Sequence, residues 1–207
     1  MKLYFFPGAC SLACHIALHE TGAKFEIEKV DTKSKKTAAG SDYLGVNAKG
    51  YVPTLELDNG EKLTEAQVIL QYVADQKPAA KLLPAAGSME RYRVLEWLNF
   101  IAAEIHKGHT PLFRHAEKLP DSSKQPFKDD LEMRFAWLAK HLEAKPYLMG
   151  DQFTIADIYL FTVLNWPRYV GLDVAKWPAL TAFQKRVGGR PAVQAALVAE
   201  GLIKKAA

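Results

Sequence analysis

The apolar pattern of this 207-residue chain changes period once, near residue 77, and that change limits the fold to two differently built parts. Residues 1–6 are short, apolar and aromatic and read as a buried strand. Pro7-Gly8 ends it, and Leu12, Ala13, Ile16 and Ala17 then recur at helical spacing up to a stop at Gly22. Residues 25–30 alternate strictly between apolar and polar, a second strand. A basic, polar and irregular stretch reaches to about Lys49. Residues 54–57 and 61–63 flank Asp58-Asn59-Gly60, the signal of a hairpin of two short antiparallel strands. Thr64-Glu65 opens a helix through Val68, Ile69, Tyr72 and Val73 to Gln76. The order βαβ, link, ββα predicts a small α/β domain with a mixed sheet.

Beyond that point the pattern is helical throughout. Residues 77–88 have linker composition, so the first domain is set at 1–77, the linker at 78–88 and an all-α domain at 89–207. Val94, Leu98, Ile101 and Ile105 form one face of a long helix, and Leu131, Phe135, Leu138 and Leu142 the stripe of another. Thr154-Ile-Ala-Asp157 is a capping box ahead of an apolar helix, in which each side chain satisfies an amide of the first turn. Two further helices start at Pro178 and Pro191, where a proline's missing N–H costs nothing.

Composition narrows the function classes. Apolar residues make up 49% and charged residues 24%, an ordinary globular balance that needs no metal or disulfide staple at this length. A net charge of +4, evenly spread, is too mild for a nucleic-acid binder. No apolar run approaches the ~18 residues of a membrane span, and residues 1–7 are too short for a signal-peptide core, so the chain is expected in the cytoplasm. Cys10 and Cys14 are four apart, neither a Cys-x-x-Cys redox motif nor a secreted disulfide framework. Cys10, Cys14 and His15 lack a fourth ligand nearby, and no metal is expected.

Candidate chemistry starts at Cys10, at the junction of strand one and helix one. Amides and the helix dipole converge there, and they stabilise a thiolate; a small buried apolar cysteine is the alternative. Val52-Pro53 precedes a strand, where proline is permitted. Glu65 lies in the first helical turn, where a carboxylate also complements the dipole. Asn99, Ala103 and His106, at i, i+4 and i+7, make a semi-polar stripe suited to lining a cleft or to facing solvent.

In order, these residues resemble the glutathione transferase family. Pro7-Gly-Ala-Cys-Ser-Leu12, Asn47-Ala-Lys-Gly-Tyr-Val-Pro53, Leu63-Thr-Glu65, Trp97-Leu-Asn-Phe100, Glu104-Ile-His-Lys107 and the Thr-Ile-Ala-Asp box are similar to its bacterial beta class over essentially the whole chain. The resemblance implies a thioredoxin-like domain packed on a helical one, a homodimer, and glutathione as co-substrate with no prosthetic group. It implies that Cys10 lies beside the glutathione sulfur, that His106 hydrogen-bonds to it with Lys107 nearby, and that Val52, before a cis Pro53, pairs its backbone with the cysteinyl unit. It further implies that Ala9 lines the site, Glu65 and the amide of Ala66 hold the γ-glutamyl end, and Lys35 meets the glycyl end. Asn99, Ala103 and Glu104 match contacts from the helical domain, in the family sometimes made across the dimer.

Elementary chemistry agrees with such roles. A tripeptide with two carboxylates wants a lysine and a helix N-terminus, and its ammonium wants a carboxylate. Two departures stand out: Ala66 replaces a frequent serine, and Phe5-Phe6 stands where tyrosine-type members carry their catalytic hydroxyl. Tyr4 is too early in the strand to replace it, while Ser11 is a rival activator to Cys10. The expected activity is conjugation of glutathione to small hydrophobic electrophiles, with Trp166, Arg168 and Tyr169 as candidate pocket residues. Glutathione-dependent thiol–disulfide exchange or dehalogenation through Cys10, and a non-catalytic binding protein, are the alternatives.

Overall fold

The computed structural model describes residues 1–114 and 116–204. They form two compact units, one of Met1–Leu83 with the C-terminal segment from Gly189, the other of Pro84–Gly188.

In the first unit, β1 (Lys2–Phe5), α1 (Ser11–Glu20) and β2 (Glu26–Asp31) make a βαβ motif with β1 and β2 parallel, Leu3 opposite Ile27. β3 (Lys36–Thr37) pairs antiparallel with β2. β4 (Thr54–Glu56) lies antiparallel on the other side of β1, Leu55 opposite Leu3, and β5 (Lys62–Thr64) completes the hairpin. Gly60 makes that turn with φ +85°, a value a side chain would resist. The five-stranded order β3-β2-β1-β4-β5, closed by α2 (Ala66–Asp75), is a mixed thioredoxin-like sheet. Alternation along β1 puts Tyr4 on one face with Val30 and Tyr43, and Leu3 and Phe5 on the other, where Phe5 meets His15 of α1. Leu3, Ile16, Leu55, Ile69 and Leu70 are fully buried, each contributing about 1.5–3 kcal/mol by leaving water.

Two expectations need correction here. The polar stretch read as irregular contains β3, whose two residues are too few to show alternation. The last helix, α8 (Pro191–Ala199), was assigned to the helical domain of residues 89–207, but it packs on α1 and belongs to the first unit. Arg190 clamps it there, its Nε and Nη2 donating to the two carboxylate oxygens of Glu20 at 2.6 and 2.9 Å. Proline at a first turn marks where a helix starts; it says nothing about which core receives the apolar face.

The second unit is all-α. It contains α3 (Met89–Phe100), α4 (Thr110–Arg114), α5 (Asp121–Leu142), α6 (Ile155–Leu164) and α7 (Pro178–Gly188). Ser88 caps α3 by accepting the Arg91 amide at 3.2 Å. The stripe Val94, Leu98, Ile101, Ile105 is buried as its spacing predicts. The single long α-helix inferred from it is not continuous, however. After Phe100 the chain widens into a π-helical turn, Ile101–His106, then tightens into a 3-10 turn, Lys107–His109. Such insertions concentrate at functional sites. A Cβ at Gly108 in the tight turn would lie 2.9 Å from Cδ2 of buried Leu131 on α5, so a larger residue there would have to displace that side chain.

Every residue of α6 is buried, so it is apolar all round and forms the centre of this unit, against α3, α7 and the π-turn. Its capping box is present: Ala156 N–H donates to Thr154 Oγ1 at 3.3 Å and Thr154 N–H to Asp157 Oδ2 at 2.8 Å. Asp157 also accepts the Leu148 amide at 2.8 Å, so one carboxylate fixes both the helix start and the preceding loop. No helix among the described residues is long and apolar enough to cross a membrane.

Candidate active site

At the N-terminus of α1 the first unit brings Cys10 and the Val52–Pro53 loop together. The chain leaves β1 through Pro7 and Gly8, the latter at φ +73°, and the Ala9 amide donates to the Phe6 carbonyl at 3.0 Å. This turn delivers half-buried Ala9 and then Cys10, which is the N-cap of α1. The Cys10 thiol donates to the Val52 carbonyl at 3.4 Å, and the Val52–Pro53 peptide bond is cis. Thiol and loop are therefore adjacent, joining residues 42 positions apart.

That loop is braced from below. The Tyr43 hydroxyl donates to the Tyr51 carbonyl at 2.7 Å and accepts from the Thr54 hydroxyl at 2.7 Å. Asn47 Nδ2 reaches the same two groups at 2.8 and 3.2 Å. Tyr43, Thr54 and Asn47 are buried, and each polar atom in the ring has a consistent donor or acceptor role. Sequence reasoning found Asn47 only as part of a motif and missed Tyr43 and Thr54, since nothing local links them.

Ser11, the rival to Cys10, and Tyr4 are both engaged by partners of their own. Ser11 is fully buried, its hydroxyl accepting from the Phe6 amide and donating to the Phe6 carbonyl at 3.2 Å each. The Tyr4 hydroxyl donates to Glu56 at 2.9 Å, and burial together with that carboxylate pushes the phenol up to about 12. Activating a thiol requires the opposite shift. Cys14 is fully buried, hydrogen-bonded to the Ala66 carbonyl at 3.8 Å, and burial raises its thiol well above the ordinary value. It is an inert core residue.

Around the loop stand the charged candidates. Lys35, in a left-handed conformation at φ +58°, donates to the Gly50 carbonyl at 2.9 Å and lies 5.9 Å from the Tyr51 ring centre. Glu65 was expected inside the first turn of α2; it is instead the residue before it, at φ +68° and ψ 118°, with Ala66 as the first helical residue. Its carboxylate receives Lys49 Nζ at 2.9 Å, a partner the sequence did not suggest. The amide of Ala66 is one of the N-terminal donors that an α-helix leaves without an internal acceptor.

In the second unit, His106 ends the π-turn. Its Nδ1 lies 2.7 Å from the Tyr159 hydroxyl on α6, and its ring meets Trp166 edge-on at 4.8 Å. Asn99, Ala103 and Lys107 are exposed along the same segment. Asn99 donates back to the Leu95 carbonyl at 3.1 Å. Glu104 is held by Arg134, whose Nε and Nη2 both reach Oε2, at 2.8 and 2.5 Å. Of the expected pocket residues, Trp166 is beside His106, while Arg168 and Tyr169 are exposed and pair with each other at 2.7 Å. Phe113, 43% exposed, packs nearby, its ring 6.0 Å from Trp166 and 5.7 Å from His109. His109 is buried, donates through Nδ1 to the Ile105 carbonyl at 2.8 Å, and is held at about 4 by desolvation.

Known proteins resemble this chain over nearly its whole length. Residues 1–75 match the glutathione S-transferase N-terminal domain and residues 100–191 the corresponding C-terminal domain. The chain is 46% identical over 202 residues to glutathione S-transferase GstA of Escherichia coli O157:H7, covering 98% of this chain and 100% of that one. A sphingomonad glutathione S-transferase solved in complex with glutathione superposes with a TM-score of 0.92 at 50% identity, covering 98% and 100%. A beta-class enzyme from Sphingomonas chungbukensis gives 0.94 at 48% identity with the same coverage. With both of its domains matched and these relatives covered over their full length, the chain belongs to the glutathione S-transferase family, and a bacterial beta-class enzyme is among its structural neighbours.

Proposed function

We propose that this protein conjugates reduced glutathione to small hydrophobic electrophiles, working as a cytoplasmic homodimer with glutathione as co-substrate and no prosthetic group. The observation that carries this reading is the 3.4 Å contact from the Cys10 thiol to the Val52 carbonyl at a cis proline. It sets a thiol beside the main chain of the Val52–Pro53 loop, an arrangement that can receive the cysteinyl unit of a peptide thiol by strand-like pairing.

Each end of glutathione then has a counterpart. Val52 pairs with the cysteinyl backbone and Ala9 and Cys10 border the sulfur. Glu65 takes the ammonium and the Ala66 amide the carboxylate of the γ-glutamyl end. Lys35 takes the glycyl carboxylate. His106 donates to the sulfur with Lys107 adding positive charge, so the thiolate is favoured; each unit of thiol pKa removed is worth about 1.4 kcal/mol. Asn99, Ala103 and Glu104 contribute from the helical unit of the partner copy. Trp166, with Arg168 and Tyr169 further out, borders the electrophile. In the reaction the glutathione sulfur attacks the electrophilic carbon, its proton having gone to solvent, and the leaving group departs with the bonding pair.

The test is steady-state conjugation of glutathione to 1-chloro-2,4-dinitrobenzene by wild type and by Cys10→Ala. Turnover in both supports the transferase with Cys10 in a supporting role. Turnover in wild type alone favours a second reading, thiol–disulfide exchange through Cys10, which the position of its thiol at a helix N-terminus also favours. There, Cys10 attacks a glutathione-containing disulfide, keeps glutathione as a mixed disulfide and releases the other thiol. Turnover in neither, with no glutathione binding by calorimetry, overturns the proposal.

A further inference from the structure

We propose that Tyr159 is a positioning residue for His106: its hydroxyl donates to Nδ1, holding the imidazole neutral with its remaining proton on Nε2 as the outward donor. The inference rests on the reading above that His106 donates to the glutathione sulfur, and supplies what that reading leaves undetermined, namely what sets the tautomer and the ring orientation.

The geometry is confined to the helical unit. Tyr159 is 1% exposed, on a helix whose ten residues are all buried. The Thr154–Asp157 box and the Leu148–Asp157 bond fix where that helix starts, and so fix the position of Tyr159 on its second turn. Its oxygen is 2.7 Å from His106 Nδ1, a hydrogen-bonding distance. A phenol is a stronger acid than a neutral imidazole, and an imidazole lone pair is the better base, so the proton in this bond belongs to the tyrosine. A neutral imidazole with Nδ1 accepting carries its own hydrogen on Nε2.

Orientation is set from two sides as well. The Tyr159 and Trp166 rings meet the imidazole edge-on at 88° and 79°, the latter 4.8 Å away. The π-turn contributes the third constraint. A sixth residue in the widened turn, relative to an α-helix, shifts the angular position of everything after it, and His106 is its last member. A histidine at this site on a regular helix would face elsewhere. In metal sites the group hydrogen-bonded to the far ring nitrogen of a ligating histidine has the same function, fixing ring and tautomer.

The test begins with the wild-type protein. Long-range proton–nitrogen correlation spectra of the 15N-labelled chain, above the His106 titration, should show Nδ1 as an unprotonated, hydrogen-bonded nitrogen and Nε2 as protonated. The reverse tautomer overturns the proposal whatever any variant does. Tyr159→Phe should retain the fold by circular dichroism, lose the Nδ1 signature and lower kcat roughly three- to tenfold, the worth of one neutral hydrogen bond. His106→Ala should lower kcat at least as much, and the double variant should be no slower than His106→Ala alone, because the tyrosine acts only through the histidine. Additive losses would mean a merely structural tyrosine and overturn the proposal. If His106→Ala slows turnover and Tyr159→Phe does not, the positioning role falls while the role of His106 stands. If His106→Ala leaves turnover intact, the reading of His106 itself falls and the tyrosine's function with it.

Discussion

Glu200 accepts the backbone amide of Gly8 at 2.8 Å across 192 positions of sequence, and its other carboxylate oxygen receives Nδ1 of His15 at 2.9 Å. One buried carboxylate from beyond the last helix therefore holds both the turn that delivers Cys10 and the helix that Cys10 caps. Removing it in Glu200→Ala leaves the Gly8 amide and the His15 ring without that acceptor, at a cost of about 1–3 kcal/mol for each group left unsatisfied. For a chain this long each kcal/mol lowers Tm by about 2–4 °C. Calorimetry should show a fall of that order in Glu200→Ala and a smaller one in Glu200→Gln, which keeps an oxygen for the Gly8 amide. An unchanged Tm in Glu200→Ala would mean that the C-terminal segment does not brace the turn.

His109 predicts acid sensitivity. Desolvation lowers its folded value to about 4, while an unfolded histidine titrates near 6.5. Between those values the unfolded chain binds a proton that the folded chain does not. The stability this group contributes is complete above about pH 6.5 and is lost as pH falls toward 4, on the order of 3 kcal/mol. His19, lowered by burial and then by the neighbouring His15, acts in the same direction. Urea unfolding at a series of pH values should show the decline in wild type and a shallower one in His109→Gln. A parallel decline in both would exclude His109 as a source.

Asp157 works against it. Burial raises its carboxyl to about 6 even though the Leu148 and Thr154 amides and the Thr154 hydroxyl favour the ionised form. Here the folded chain holds a proton that the unfolded chain has released, from about pH 4 to 6. Its contribution is present at the acid end and declines as pH rises through 6, again on the order of 3 kcal/mol. The two slopes overlap and oppose each other. Asp157→Asn should therefore steepen the acid loss that His109 causes, besides costing about 1–3 kcal/mol at every pH because one amide loses its acceptor. An unaltered slope would mean that this carboxyl does not titrate in the window.

What could be read in advance divides along the range of the signals. Helix α1, the hairpin over Asp58-Asn59-Gly60, the capping box and the stripes on α3 and α5 all depend on residues a few positions apart, and all were legible. The residues to which the resemblance points, Cys10, Val52-Pro53, Glu65 and His106, also sit in short motifs whose order is itself informative. The partners that define their states lie far away in sequence: Glu200 for Gly8, Lys49 for Glu65, Arg134 for Glu104, Tyr159 for His106. Only packing brings those together. The π-turn escaped for a different reason. Val94, Leu98, Ile101 and Ile105 keep helical spacing through it, so their pattern does not report the extra residue. The attachment of α8 to the first unit escaped because Val193 and Ala196 make an apolar face that fits either core.

Glu65 offers the sharpest separation of stability from function. At φ +68° and ψ 118° it occupies backbone space that a side chain resists, at a cost of about 1–3 kcal/mol. Its visible compensation is the Lys49 ion pair, and both side chains of that pair are more than half exposed, so the pair contributes at most about 1 kcal/mol. The strain exceeds what the pair returns. The role proposed for Glu65, presenting a carboxylate next to the Ala66 amide, would account for such a conformation. Glu65→Gly should raise the unfolding temperature while weakening glutathione binding at least tenfold, the loss of a charge-assisted contact. Glu65→Ala, which keeps the Cβ and the strain but loses the carboxylate, should weaken binding equally without the gain in stability. Calorimetric titration with glutathione and thermal unfolding of the three proteins decide the matter. Stability unchanged or lowered in Glu65→Gly relative to Glu65→Ala would show that the backbone there is not strained, and binding unaffected in both would remove Glu65 from the site.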